Sequence, residues 1–344
     1  MPDPLGSPRE FAAEVSTLAE RVAAGMVLPV GEAALLALLA SPLAEKGLIP
    51  FPPLDRVLAI CDKSRVLGVA PEVGIAVPVQ RTISNQGEGR ALDPATLTFP
   101  LVVKPSRSVS TAEGGRIKLG VTHAATPRQL DEVLRSMPPA AYPLLLQQRI
   151  VGPGVGVFLL VWDGRLVAQF SHRRIREKPP AGGVSVYRES VPAEAGLVDR
   201  SLALLERFGW RGVAMIEYKL DAATGIPYLM EINGRFWGSL QLAVDSGVDF
   251  PRLLLEAAGG KASPPVMSYR SGIRSRWWWG DVDHLIARLR GTPASLGLPP
   301  GSPGRVRAVL DFLKLWRPGD RNEIWQWSDP NPFFRETIQW FKGN

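Results

Sequence analysis

A chain of 344 residues with 45% apolar and 21% charged residues has the composition of a globular protein and the length for two or three units, which excludes a disordered chain. It contains no apolar run of eighteen residues, and Met1-Pro2-Asp3-Pro4 lacks the basic start and apolar stretch of a secretory leader, so neither a spanning helix nor a leader is expected and a cytoplasmic location fits best. The single cysteine, Cys61, excludes an internal disulfide or a zinc cluster, and a net charge of +7 favours anionic partners: nucleotide, nucleic acid or an acidic membrane surface.

In chain order, residues 10–46 read as largely helical, with Phe11, Val15, Leu18 and Val22 on one stripe, a strand candidate at Met26–Val30 and a helix at Ala33–Leu39. Pro50, Pro52 and Pro53 punctuate the chain before a helix over Leu54–Val69, and Gly74-Ile75-Ala76-Val77-Pro78 reads as a short strand opening a new unit. Leu97–Val103 is β-rich and breaks at Lys104-Pro105, after which a Ser/Thr/Gly-rich loop runs from Ser106 to Gly115. A strand near Ile117–Val121, a helix over Pro127–Ser136 and strands at Leu144–Ile150, Val157–Trp162 and Arg165–Ser171 follow. Asp163-Gly164 joins the last two as a hairpin turn, because both residues tolerate positive φ. Next come helix 194–208, strand 212–220, a turn at Asp221–Gly225, strand 227–232, and helices 238–246 and 250–258.

Beyond Ala262 the composition changes: Pro and Gly are dense around 292–304, seven of the ten tryptophans lie at or after Trp277, and helices are expected at 281–290 and 305–316. Strands with interspersed helices, lacking the regular repeat of a doubly wound sheet, give an α+β (mixed α/β) fold class. The expected units are a partial N-terminal segment (1–54), a central domain (55–261) and a Trp-rich appendage (262–344).

The chemistry concentrates in the hairpin Val213–Asn233. Residues two apart on a strand point to one face, so Glu231 and Asn233 face together, and the turn allows Glu217 to sit opposite them. Two carboxylates and an amide oxygen suit a hard cation such as magnesium, with manganese as an alternative. One carboxylate alone would read as a solvated face, but these polar residues interrupt apolar strands, where an ionised group needs a counter-charge. Arg235 suits a phosphate or an acceptor carboxylate. Lys104, at the end of the apolar run Pro100–Val103, needs an anion, and the loop from Ser106 can close over phosphates with backbone N–H groups. Gly152-Pro153-Gly154-Val155-Gly156 lacks G-x-G-x-x-G spacing and precedes a strand, and the chain has no GKS or GKT loop, so a dinucleotide fingerprint and a P-loop are both excluded. His123, His172 and His284 are scattered; a structural role is expected for His123 and His284, while His172 adjoins the basic cluster Arg173-Arg174-Ile175-Arg176. No five-residue basic run marks a nucleic-acid arm, and nucleic acid is not an expected partner.

In order along the chain, Asp62-Lys63, Gly74-Ile75-Ala76-Val77-Pro78, Val102-Val103-Lys104-Pro105, Leu146-Gln147-Gln148-Arg149-Ile150-Val151-Gly152 and Glu231-Ile232-Asn233-Gly234-Arg235 resemble the motifs of the ATP-grasp superfamily of carboxylate-amine ligases, as found in carbamoyl-phosphate synthetase and D-alanine–D-alanine ligase. The resemblance covers roughly residues 55–258. It implies ATP bound between two α+β subdomains, with Lys63 and Lys104 on its phosphates beside Ser106, and Gln147, Gln148 and Ile150 around the adenine. It implies Glu217, Glu231 and Asn233 as magnesium ligands, and Arg235 on the phosphate or acyl phosphate. Arg174 and Arg176 are expected to bind the carboxylate substrate or the acyl phosphate. The implied reaction activates a small-molecule carboxylate for attack by an amine-type nucleophile. Two features depart from the family pattern. Gln148 stands where the hinge strand usually has a carboxylate, and Gly154-Val155-Gly156 where a ribose-binding carboxylate is usual. The N-terminal segment is also shorter than the domain that usually precedes the entry segment.

Two other classes stay open on sequence alone: an ATP-binding protein without turnover, and an interfacial protein acting through Trp277-Trp278-Trp279, Trp325, Trp327 and Trp340. The plainer expectation is that these tryptophans pack the appendage onto the core. Self-association is undecided by the sequence.

Overall fold

A proline at the first helical position starts α1 (Pro8–Arg21), whose buried side is Phe11, Ala12 and Ala19. The computed structural model describes every residue except 113–114, 262, 300, 315–319 and 344. α2 (Glu32–Leu39) buries Leu35 to Leu39. The stretch expected as one helix over 54–69 is two, α3 (Leu54–Ile60) and α4 (Lys63–Val69). Asp62 separates them by capping α4, its carboxylate accepting from the Arg65 N–H at 3.2 Å. Met26–Val30 is not a strand but an irregular link tied by Val27 N–H to the Leu48 carbonyl at 2.8 Å; a short apolar run can be buried without pairing. Of the strand expected at residues 74–78, a single parallel bridge remains, Ala76 to Tyr228.

A small antiparallel sheet follows, built from β1 (Gln80–Ile83), β2 (Leu101–Pro105), β5 (Thr122–Ala124) and β6 (Leu144–Gln148) in the order β1-β6-β2-β5, with α5 (Gln86–Arg90) and α6 (Pro127–Ser136). Ile83, Leu101, Val103, Ala124, Leu144 and Leu146 share a core with Leu130 of α6. By strand alternation the opposite face carries Gln80, Val102, Lys104, His123 and Gln147, since Gln80 and Val102 both pair with Gln147 and Val102 also pairs with His123. The expected Ser/Thr/Gly-rich loop is in part a hairpin, β3 (Val109–Ala112) with β4 (Gly115–Lys118), whose tip lies outside the described residues. The alternating Val109 and Thr111 have the branched side chains that favour strand.

The large sheet has seven strands in the order β11-β10-β7-β8-β9-β12-β13: β7 (Gly154–Trp162), β8 (Arg165–Lys178), β9 (Val184–Ser190), β10 (Gly212–Leu220), β11 (Pro227–Asn233), β12 (Arg274–Arg276) and β13 (Asp320–Asn322). Only β12 and β13 run parallel. Asp163 (φ 48°) and Gly164 (φ 72°) make the tight turn between β7 and β8. β8 continues to Lys178, well past the expected end at Ser171, so the arginine cluster lies on a strand. α7 (Ala195–Arg207), α8 (Leu240–Ser246) and α9 (Phe250–Ala258) flank this sheet, and its core merges with that of the N-terminal helices.

The C-terminal segment joins the same sheet through β12 and β13 and adds α10 (Trp278–Arg290), α11 (Arg305–Leu313) and α12 (Asn331–Lys342). The helix expected over 305–316 ends at Leu313, residues 315 and 316 being outside the described set, and α12 was not anticipated. Among the described residues no helix is long and apolar enough to cross a membrane.

Candidate active site

The register of β10 with β11 pairs Met215 with Asn233 and Glu217 with Glu231. Side-chain alternation therefore puts Glu217, Glu231 and Asn233 on one face, two carboxylates directly across from each other. Like charges in that position repel unless cations intervene. Two do: Lys63 Nζ lies 3.1 Å from Glu231, and Arg174 Nη2 lies 2.5 Å from Glu217. Arg174 starts two strands away on β8 and crosses β7 because residue 154 is glycine, where a Cβ would stand 2.6 Å from the Arg174 Cδ. Gly154 thus leaves room for the Arg174 side chain, while Gly156 faces Phe158 and His172. Arg174 also donates to Glu177 at 2.9 Å and to the Gly183 carbonyl at 3.0 Å, and Lys219 donates to the other oxygen of Glu177 at 2.9 Å.

Burial raises the Glu217 carboxyl above its usual range, outweighing the pull of Arg174. Burial pushes Glu231 the same way, but Lys63 and Lys104 overcome it and hold this carboxyl down at about 2. Asn233 donates to Glu231 at 3.2 Å, and its amide oxygen accepts from Arg235 Nη2 at 2.9 Å. A second Arg235 nitrogen donates to the Phe236 carbonyl, and Glu32 at the start of α2 stands 3.8 Å from the Nε.

The small sheet supplies the opposite wall. Lys104 is only 9% exposed, and among the described residues its one hydrogen-bond partner is the Met230 thioether at 3.6 Å. Burial lowers this ammonium to about 8 in spite of Glu231 and Glu217. Lys63 differs: burial disfavours its charge too, yet Glu231 more than compensates and its pKa is raised. Ser106 joins the two lysine segments, its carbonyl accepting from the Lys63 N–H at 2.8 Å and its hydroxyl donating to Asp62 at 2.5 Å. Gln147 is buried, donates to Gln80 at 2.7 Å, and has no partner for its own amide oxygen among the described residues. Gln148 is exposed and bonds through its backbone N–H to the Val79 carbonyl, and Ile150 lies just beyond the end of β6.

Lys63, Lys104, Arg174, Glu217, Glu231, Asn233 and Arg235 are therefore brought together. Arg176 is not. Its guanidinium grips both oxygens of Asp281, at 2.5 and 2.6 Å, and lies 4.5 Å over the Tyr187 ring. An irregularity in the β8–β9 pairing falls between Arg174 and Arg176 and breaks the alternation that would have aligned them. Lys219, Glu32 and His123 were missed as members of this surrounding. Lys219 was within reach of sequence reasoning, two residues after Glu217 on the same strand. His123, on the Lys104 face, is pushed down to about 4 by burial and then by Arg149, Lys104 and Lys219, so it is neutral at neutral pH.

Among the described residues no group of three or more His, Cys, Asp and Glu side chains is disposed to hold a metal. The donors available are two carboxylates and one amide, all oxygen, a partial set that suits magnesium completed by phosphate oxygens and water. The unmatched Lys104 ammonium suits a phosphate.

Comparisons with known proteins bear on the fold and the family. A family model described as an ATP-grasp in the biosynthetic pathway with Ter operon matches residues 140–279. The chain is 30% identical over 208 residues to a Streptomyces coelicolor protein named "Putative D-alanine--D-lactate ligase", covering 56% of this chain and 57% of that one. It has the same identity and coverage with the vancomycin/teicoplanin A-type resistance protein VanA of Enterococcus faecium. The chain thus spans just over half the length of the curated relatives it matches. Among solved structures, biotin carboxylase from Campylobacter jejuni superposes with a TM-score of 0.61 at 16% identity, over 76% of this chain and 60% of the other. The L-amino acid ligase of Bacillus licheniformis superposes with a TM-score of 0.55 at 21% identity, over 72% and 59%.

Proposed function

We propose that this chain, matched over residues 140–279 by an ATP-grasp family model, is an ATP- and magnesium-dependent ligase of that kind, joining a carboxylate to an amine or hydroxyl nucleophile through an acyl phosphate. The observation that carries this reading is the opposed pair Glu217 and Glu231 beside Asn233, facing the buried Lys104, which forms no ion pair among the described residues. In this reading residues 55–261 form the catalytic unit, with 1–54 before it and 262–344 appended.

Glu217, Glu231 and Asn233 hold magnesium, which neutralises charge on the phosphates. Lys63 and Lys104 bind phosphate oxygens, Ser106 sets the spacing between them, and Gln147, Gln148 and Ile150 receive the base. A substrate carboxylate oxygen attacks the γ-phosphorus and ADP leaves with the electron pair of the broken bond. The nucleophile then attacks the acyl carbon, phosphate departs, and the nucleophile gives up its proton. Arg235 and Arg174 neutralise charge as it develops on the transferred group and the acyl oxygen. Arg176 acts from further out, by fixing the end of β8. No side-chain nucleophile is needed, and the reaction draws on cytoplasmic ATP.

Phosphate release measured against a panel of carboxylates paired with amines and hydroxy acids tests the proposal. Hydroxy acids belong in the panel because one relative's name pairs D-alanine with D-lactate. Expected is release with at least one pair and none with Glu231→Gln. ATP binding without release across the whole panel would replace the ligase with a nucleotide-binding protein.

A further inference from the structure

Two helices of the C-terminal segment carry one pattern. α11 with its following residue reads Val306-Arg307-Ala308-Val309-Leu310-Asp311-Phe312-Leu313-Lys314, and α12 contains Phe334-Arg335-Glu336-Thr337-Ile338-Gln339-Trp340-Phe341-Lys342. In each, the seventh residue is an aromatic fixed to α10: Phe312 lies 5.8 Å from Trp278, and Trp340 stacks at 4.3 Å on Trp279. In each, the first, fifth and eighth residues are apolar and exposed: Val306, Leu310 and Leu313, then Phe334, Ile338 and Phe341. Spacings of four and three put each trio on a single stripe. In each, the second and ninth residues are cations bordering that stripe. Trp327, in the link between the two helices, is 89% exposed.

The tryptophans at 277–279 and 340 are therefore interior anchors, and the surface they support is made of other residues. A soluble surface seldom leaves two such stripes uncovered without a partner. The charges identify the partner. Among the described residues Arg335 and Lys342 have no acidic partner, and the one acid of α12, Glu336, is turned inward to accept from the Trp277 indole. On α11, Asp311 is shared by Arg307 and Lys314, and Arg305 adds a further cation. An apolar stripe bordered by cations fits the boundary between acyl chains and acidic headgroups, where a helix lies in the plane of the interface.

We propose that α11 and α12, together with Trp327, seat this protein on an anionic lipid surface. The attachment is peripheral, and the chain's net charge of +7 draws it to such a surface. It stands on the C-terminal segment alone and does not depend on the ligase reading.

Flotation of the full chain with phosphatidylcholine vesicles, with and without phosphatidylserine, decides the matter. Expected is flotation with the phosphatidylserine vesicles only, reversed by high salt. Replacing Arg335 and Lys342 together by alanine lowers partitioning by roughly an order of magnitude or more. Ile338→Asp with Phe341→Asp, and separately Leu310→Asp with Leu313→Asp, abolish flotation while ATP affinity and the thermal midpoint stay those of the parent chain. Absence of flotation on phosphatidylserine vesicles overturns the proposal, and so does flotation that none of these variants diminishes. A dimer in sedimentation velocity that Ile338→Asp dissolves, in a protein that does not float, assigns the face to a second copy of the chain instead.

Discussion

Arg174 and Arg176 stand two residues apart on one strand, yet they belong to networks of opposite character. Around Arg176, the acids of the C-terminal segment match the cations of the sheet: Asp281 takes both Arg176 and Arg276, Asp283 takes Lys178, and Glu323 takes Arg188. Around Arg174, the pairs Arg174–Glu217 and Lys63–Glu231 leave Lys104 buried and, among the described residues, hydrogen-bonded only to a thioether. The first network is closed in that each of its four cations has an ion pair, three acids serving them all, and it holds the appendage on the sheet. In the second, Lys104 has no ion pair among the described residues and can accept an anion. Residue type does not separate a structural cluster from a functional one here; a buried cation without an ion pair does.

The largest expected effect tests whether the cleft is the chemical centre. Glu231→Gln should lower phosphate release by roughly a thousand-fold or more, because it removes one of the two carboxylates proposed to hold magnesium. Next, Asp281→Asn breaks the closed network. Removing the shared acid leaves one buried and one half-buried guanidinium without their carboxylate, and a loss of about 3–5 kcal/mol is expected in urea unfolding. ATP affinity should not change, and a tenfold loss would show that the two networks are one.

Smaller effects sharpen the contrast from the other side. Lys104→Met should weaken ATP binding by about 1.5–3 kcal/mol, the range of a hydrogen bond to a charged group, while stability holds or rises, since the variant buries no unmatched charge. Calorimetric titration and thermal melts read the two arms. The pH dependence follows from the same lysine. Its folded pKa of about 8 lies below the value of about 10.4 for an unfolded lysine. Between these values the unfolded chain binds more protons, so this group adds stability as pH rises through about 8. ATP affinity moves the opposite way, falling by at most about tenfold per pH unit above 8, because the ammonium must be regained on binding. In Lys104→Met that slope should vanish.

Much of the cleft was legible because it is built from local periodicities. Alternation along two strands joined by a short turn was enough to bring Glu217, Glu231 and Asn233 to one face, and a lysine closing an apolar strand announced an ammonium in need of an anion. What could not be read depends on contacts distant in sequence. Asp281 meets Arg176 across 105 positions, and the pairing irregularity that turns Arg176 toward it leaves no mark on the residues themselves. β9 was missed because Arg188 and Ser190 interrupt an apolar period although both are buried. β1 was missed because Gln80-Arg81-Thr82-Ile83 is short and polar. Met26–Val30 misled in the other direction: its apolar run is a mostly half-buried link that pairs with no strand among the described residues.

The unequal cores have a consequence for motion. That of the small sheet rests on a few side chains, Ile83, Leu101, Val103, Ala124, Leu130, Leu144 and Leu146 chief among them, whereas that of the large sheet runs on through the N-terminal helices to α9. Local opening free energy follows the apolar area a segment buries. Amide hydrogens of β2 and β6 should therefore exchange with deuterium ahead of those in β7 and β10, and bound ATP should slow the first pair the more. On the proposed function, that exchange order would make the half of the cleft that carries Lys104 the half that opens to admit nucleotide, against a fixed carboxylate wall.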